Sequence, residues 1–347
     1  MSDGRPVPGS VYFYQPSKVF PVVFAALFVV SGAWHIWQCI RYKAFKITGL
    51  HPFCCLLFVV GFALRAYGAY NISNVTVYLV STICIYCAPP ILELANYHVL
   101  GRILYYVPYF APLHPGRTLT TFGAISCVVE VLNALGVSLL ANPNVRSQSA
   151  QDLGHGLTKA ALITQIIVIS VFIGLAGVFH YRCRKANINS SKVQTPLLTL
   201  YLSTIFIMIR TVYRTVEHFG VSRVPVKPGP DFDPMSLSPM VRYEWYFATF
   251  EAGLMLSNTF LWNGLHPRLF LPEDYHIYLA QDGITELQGP GWEGEQSWLM
   301  TFIDPCGLTV LLSGKSKRGK KERPFWEKNG FENGRVPLVN MGSGVNV

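Results

Sequence analysis

The stretch TPLLTLYLSTIFIMI, Thr195 to Ile209, runs straight into RTVYRTVEHFG, Arg210 to Gly220, and the reading of the chain turns on that junction. The first part is apolar enough to enter a bilayer. The second places Arg210, Arg214 and Glu217 on the same helix before it ends. An ionisable side chain in hydrocarbon is costly unless it reaches the interface, pairs, or faces a polar interior. Spacings of four and three residues stack these three charges on one helical face. A chain that keeps such a stripe in a membrane needs partners for it on neighbouring helices.

The rest of the composition agrees with a membrane protein. The 347 residues are 51% hydrophobic and 14% charged, with a mean hydropathy of +0.32, whereas a soluble domain carries about 25% charged residues. Seven stretches can cross a core of about 30 Å as helices of about 20 residues. They are Val19 to Ile40, Pro52 to Tyr70, Val75 to Tyr97, Thr118 to Ala141, Lys159 to Tyr181, Thr195 to Glu217 and Tyr243 to Leu265. The expected fold is all-α, a polytopic seven-transmembrane-helix bundle.

The net charge of +9 is distributed unevenly. Connections after spans one, three and five hold Arg41, Lys43 and Lys46, then Arg102 and Arg117, then Arg182, Arg184, Lys185 and Lys192. A final segment adds Lys315, Lys317, Arg318, Lys320, Lys321 and Arg323. The alternate connections are poor in basic residues, with none in NISN and only Arg146 between Asn142 and Gly156. The positive-inside rule then puts the N-terminus outside and the C-terminus in the cytosol. The basic excess is a topology signal, and no nucleic acid is expected as a partner.

Three regions are expected: an outside tail at 1–18, the helical domain at 19–267, and a basic, mostly flexible cytosolic tail at 268–347. The first span lacks a cleavage site and should remain as an anchor. FGVSRVPVKPGPDFDPMSLSPM, Phe219 to Met240, is broken by prolines and glycines and could cap an outer cavity. The cluster KSKRGKK at 315–321 would be drawn to anionic lipids of the cytoplasmic leaflet. GKS at Gly314 is no phosphate loop, because Thr309 stands where a glycine is needed. Asn71 and Asn74 open glycosylation sequons close to the membrane. Of the eight cysteines, Cys54, Cys55, Cys84, Cys87 and Cys127 fall inside spans and imply no disulfide framework. Cys39 and Cys183, at cytosolic helix ends, are candidates for palmitoylation or simple packing.

Depth suggests how the membrane charges are arranged. At 1.5 Å per residue, Arg210 and Arg65 each lie roughly two thirds of the way across from the cytosolic side. Span seven begins outside near Glu244, and Glu251 follows roughly 10 Å deeper on the same face. The expectation is a layer of Arg65, Arg210 and Glu251 beneath a layer of Arg214, Glu217 and Glu244, lining a polar outer half-cavity. Arg214 and Glu217 are also shallow enough to reach the interface. Glu93, near the inner end of span three, and Glu130, near the middle of span four, have no basic neighbour on their helices, and each is protonated, hydrogen-bonded or functional. Asn133, Gln165 and Asn258 add neutral groups able to bond between helices.

These residues resemble the fungal lipid-translocating exporter family, seven-helix membrane proteins associated with aminocholesterol resistance. The likeness covers roughly residues 12 to 272. It rests on YQPS before span one, GFALR ending in Arg65, APPILELANYHVLGRIL with Tyr97 and Arg102, RTVYRTVEHFG in span six, and EWYFATFEAGLM followed by HP in span seven. The chain departs from the family pattern at Phe58, Ser126 and Asn133, where a glutamate, an aspartate and a glutamine are expected. Glu251 stands in place of a usual aspartate. The resemblance implies translocation or export of lipid-like amphiphiles such as sphingoid bases, phospholipids or sterol-like toxins, in stress or drug resistance. The plasma membrane is the expected location, with the vacuole or another endomembrane as alternatives.

A seven-helix sensor or receptor for lipids or small amphiphiles is the alternative reading of the same topology. Catalysis, a cofactor and a metal are not expected: every aspartate lies outside the spans, no HExxH occurs, and the histidines are scattered. A retinal pump is excluded, because span seven has no lysine for a Schiff base.

Overall fold

The computed structural model describes residues 12, 14–113, 115–141, 147–221, 238–274 and 276–289. In chain order the helices are α1 (Val19–Arg41), α2 (Phe45–Thr48), α3 (Leu50–Gly68), α4 (Val75–Tyr106), α5 (Pro115–Ala141), α6 (Gln148–Lys185), α7 (Ser191–Val221), α8 (Pro239–Arg242), α9 (Glu244–Phe247) and α10 (Leu254–Gly264). A two-stranded antiparallel hairpin, β1 (Ile277–Leu279) and β2 (Glu286–Gln288), comes after them. The fold is all-α and polytopic: among the described residues α1, α3, α4, α5, α6 and α7 are the 6 helices long and apolar enough to cross a membrane.

The seventh predicted span is built differently. Between α9 and α10 the backbone forms a π-helical stretch, Ala248–Gly253, so this segment is assembled from three helical pieces laid end to end. A π-turn is wider than an α-turn and delays the rotation of the downstream helix by about one residue, or ~100° at 3.6 residues per turn. Glu244 and Glu251, seven apart, therefore do not share the face that an unbroken α-helix would give them.

Two other helices overrun their expected limits. Helix α4 continues nine residues beyond Tyr97 to Tyr106, which moves Glu93 from near the inner end of its span to mid-helix. Its N-terminus is set by Asn74, whose side chain accepts from the Val77 N–H at 3.1 Å, so the second sequon asparagine is also a helix cap. Helix α6 begins at Gln148, inside the segment expected to be an outer connection. Its other end closes at Asn187, which adopts a left-handed φ of 58°, a conformation asparagine tolerates better than most residues.

Lipid tails are as apolar as leucine, so helices in a membrane associate through close packing and polar contacts. Helices α5 and α6 meet at Gly136 and Gly154: a Cβ on Gly136 would lie 2.4 Å from Thr158 Oγ1 and 2.8 Å from the Gly154 carbonyl oxygen. The obstructing carbonyl is backbone and cannot rotate away. Gly136→Val is expected to force the two helices apart and cost about 1–3 kcal/mol, read as a lower melting temperature in detergent. An apolar cluster around Phe28, Phe58 and Phe62 packs α1 against α3, with Phe28 and Phe58 stacked at 4.4 Å. Phe58, where the family resemblance anticipated an acid, is thus a fully buried core residue.

The outer loop expected to cap the bundle falls mostly outside the described residues, and the basic cluster at 315–321 entirely so. Of the described cysteines, Cys39 and Cys183 are buried and unpaired by disulfides, which favours packing over lipidation.

Candidate functional site

The predicted charges come together at the end of the bundle where α3 and α7 finish and α9 begins, although not in the two layers expected. Arg65, on α3, donates from Nη2 to Glu244 Oε1 at 3.1 Å and to the Tyr14 hydroxyl at 2.8 Å. Its guanidinium carbon also lies 4.3 Å from the Phe247 ring centroid, a cation–π distance. Glu244 is held further by the Ser17 N–H at 2.8 Å, so YQPS is part of the site. Arg210, on α7, meets Glu251 of the π-helical stretch: Nε lies 2.9 and 3.0 Å from the two carboxylate oxygens and Nη2 lies 2.7 Å from Oε1. Both side chains are almost wholly enclosed, at 5% and 0% exposure. The shift in phase made by the π-turns points Glu251 at α7 while Glu244 faces α3. Arg65 accordingly bonds to Glu244 and does not share a pair with Glu251.

The third pair corrects a second expectation. Arg214 takes its partner from its own helix, Glu217, and not from the seventh predicted span. It also donates to the Tyr86 hydroxyl at 2.8 Å and stacks over that ring at 3.9 Å. Tyr213 adds a hydroxyl 3.4 Å from Glu217. A cavity of about 160 Å³ opens between these groups, bordered by Tyr12, Tyr14, Arg65, Tyr78, Tyr86 and Glu217. The phenols escape sequence reasoning because aromatic residues in a membrane protein read as packing or interface belts. Only Tyr14 carries a signal, through its place in YQPS.

Glu93, Tyr97, Gln165, Glu130 and Asn133 lie deeper. Glu93 accepts from the Tyr97 hydroxyl, from Gln165 Nε2 at 3.1 Å and from Ser126 Oγ at 3.5 Å, a buried knot joining α4, α5 and α6. Ser126, where the resemblance anticipated an acid, is one of its donors. Glu130, on α5, is half-buried. Close by, Asn96, Ser203 and Trp262 tie α4, α7 and α10 together.

Arg102 is not in a connection. It lies in the last turns of α4, buried, and donates to the carbonyls of Asp274 at 2.8 Å and of Pro272 and Ile277 at 3.4 Å. Those carbonyls belong to the segment after α10, which folds back on α4. Its hairpin is latched by Glu286, which accepts from the Tyr106 hydroxyl at 2.7 Å and pairs with Lys192 at 2.8 Å. Partial burial pushes the Glu286 carboxyl up, but the Lys192 and Tyr106 hydrogen bonds outweigh it and hold the group below its ordinary value of 4.5. The latch therefore contributes fully above that value and is lost as pH falls through the lower, folded-state value. The protection of amides across 277–288, the measured exchange rate set against the intrinsic rate at the same pH, is expected to fall on acidification below pH 4.5, with Lys192→Ala producing a modest fall already at neutral pH, since an exposed pair is worth about 0.2–1 kcal/mol.

Among the described residues no group of three or more histidine, cysteine or acidic side chains is arranged to hold a metal ion.

Fold and site together define an integral membrane protein whose helices enclose paired charges beside a small polar cavity. The chain belongs to the RTA1-like protein family, whose model matches residues 52–274. It is 48% identical to the lipid-translocating exporter-like protein RTA1 of Leptosphaeria maculans, over 97% of this chain and 66% of that relative, so the match falls just short of two thirds of the relative's length. It is 29% identical to the protein of the same description from Ajellomyces capsulatus, over 75% of this chain and 81% of the relative. A probable lipid transporter, atnI, of Emericella nidulans is 22% identical over 75% of the chain and 68% of its own length. No solved structure matches.

Proposed function

We propose that this protein moves lipid-like amphiphiles across or out of the membrane, with the cavity between α3, α4 and α7 receiving the polar head while the apolar tail stays among the acyl chains. The observation that carries this reading is the cavity itself: about 160 Å³ bordered by a cation, a carboxylate and four phenols at one end of the bundle. At ~30 Å³ per water it has room for a small head group. Arg65 offers charge-assisted hydrogen bonds to phosphate or carboxylate, and Glu217 offers them to an amine. The printed descriptions of the relatives, exporters and transporters of lipid, support the same class. Sphingoid bases, phospholipids and sterol-like toxins fit the amphiphile description, and the plasma membrane is the location we assign. Orientation follows the charge asymmetry of the connections, with the cavity facing outward.

The test is reconstitution of the full-length protein into vesicles carrying fluorescent sphingoid bases, phospholipids or sterols, with the probes in one leaflet bleached by a membrane-impermeant reductant. A protein-dependent rise in the bleachable fraction is expected for at least one amphiphile class. Tight binding with no movement of any probe would instead favour a sensor.

A further inference from the structure

A second polar region lies away from the charged cavity, where α1, α3 and α10 meet. His35, Gln38, His51 and Asn263 are 1%, 4%, 0% and 1% exposed. Their hydrogen bonds to backbone carbonyls determine which atoms carry hydrogen, because a carbonyl can only accept. His35 Nε2 lies 3.1 Å from the Thr259 carbonyl oxygen, and His51 Nδ1 lies 3.3 Å from that of Thr48. Each ring thus gives its N–H to the backbone and keeps its lone pair on the other nitrogen. Gln38 donates to the Asn263 carbonyl at 2.7 Å, which leaves its Oε1 as the free end. Asn263 donates to Ser31, leaving Oδ1. The atoms left over, His35 Nδ1, His51 Nε2, Gln38 Oε1 and Asn263 Oδ1, have no hydrogen-bond partner among the described residues.

All four are acceptors. Buried polar atoms are normally satisfied, so four unmet acceptors in one seam call for something that brings only donors. The two rings lie 5.0 Å apart, centre to centre. Gln38 is three residues from His35 and so shares its helical face. His266 completes the contrast: it accepts the Arg268 N–H on Nδ1, and since Thr48 donates its hydroxyl to Ala44, His266 Nε2–H points at Thr48 Oγ1. Both its nitrogens are used. Thr48 thereby links His51, through its carbonyl, to His266 at the end of α10. The other titratable groups bonded into the seam are Cys39, through Thr48, and Cys55, through Ser31. The ionic pairs among the described residues lie elsewhere.

We propose that His35 and His51 form a proton-binding pair that couples lipid movement to a proton gradient, with Gln38 and Asn263 accepting the N–H that protonation creates. The step is a proton passing from water to one imidazole lone pair; no other bond changes and no electron is transferred. A site whose proton affinity differs between two conformations links proton binding to the conformational equilibrium. The coupling rests on the translocation reading above; the proton site itself does not.

Two measurements separate them. In nanodiscs holding the full-length protein labelled with ¹⁵N-histidine, the spectrum of the nine histidines is expected at alkaline pH to show His35 protonated at Nε2 and His51 at Nδ1, and acidification converts one of these two to imidazolium. His35→Gln and His51→Asn, which keep the donor to the carbonyl and delete the accepting nitrogen, assign the two signals. His35 and His51 rings that both stay neutral throughout the pH range in which the protein remains folded would overturn the proposal. In vesicles with entrapped pH dye, an imposed pH difference is expected to change the wild-type rate of lipid movement at least tenfold with accompanying proton entry, and each substitution to bring the ratio of rates with and without the gradient close to one. Lipid movement indifferent to the gradient would remove the coupling and leave translocation standing. Absence of lipid movement under every condition would remove both.

Discussion

Glu251→Gln is expected to be among the most destabilising single substitutions in the protein, at about 3–5 kcal/mol. The carboxylate it removes is 0% exposed and makes three contacts to Arg210, whose guanidinium is 5% exposed. Arginine cannot shed its proton in a protein, so the substitution leaves a buried cation against a neutral amide. Arg210→Ala should cost less, because a carboxylate deprived of its partner can take up a proton and become neutral. Replacing both, as Arg210→Leu with Glu251→Leu, should recover most of the loss, since an apolar pair of similar volume is often no worse than a buried ion pair. Thermal unfolding in nanodiscs across this double-mutant cycle measures the coupling. A Glu251→Gln variant that melts with the wild type would mean that water reaches the pair. Because Glu251 lies within the π-helical stretch and its pair with Arg210 fixes that stretch against α7, the same substitution should also abolish lipid movement.

Arg65→Leu is expected to have the opposite profile, a loss of at least ~10-fold in the rate of lipid movement with a smaller fall in melting temperature. Arg65 borders the cavity, and a hydrogen bond to a charged group is worth about 1.5–3 kcal/mol, which is ten- to a hundredfold or so in head-group capture. Its partner Glu244 is not stranded by the change, because the Ser17 N–H still bonds it and it is 11% exposed at the side chain. A leucine keeps the contact with Phe247. The flipping assay with an anionic phospholipid probe, set beside the melting curve, separates the two effects. Equal losses in rate and stability would mean that Arg65 serves the fold alone.

Much of the architecture is legible in the residues themselves. The apolar stretches, the basic connections and the charged stripe at Arg210, Arg214 and Glu217 each rest on local chemistry, transfer free energy and helical periodicity, which sequence displays directly. That Arg210 and Glu251 lie at one depth comes from counting residues along helices of known rise. Pairing is harder to read, because it depends on rotation about a helix axis. Periodicity assumes 3.6 residues per turn, and the π-stretch at Ala248–Gly253 breaks that assumption at the decisive place. Arg102 is misplaced by sequence for a related reason: a basic residue after an apolar run reads as a connection, and nothing local reveals that distant carbonyls at Pro272, Asp274 and Ile277 will surround it.

The amino-acid sequence by itself determined that this chain is an all-α membrane protein and which of its apolar segments carry charged residues, because burial cost and helical periodicity are properties of single segments. Tertiary structure alone decided who meets whom: Arg65 with Glu244 and Tyr14, Arg214 with its own Glu217, Arg102 with the returning chain, and two histidines with one spare nitrogen each. Those outcomes depend on the relative rotation of neighbouring helices and on which hydrogen-bond acceptors other segments bring within reach.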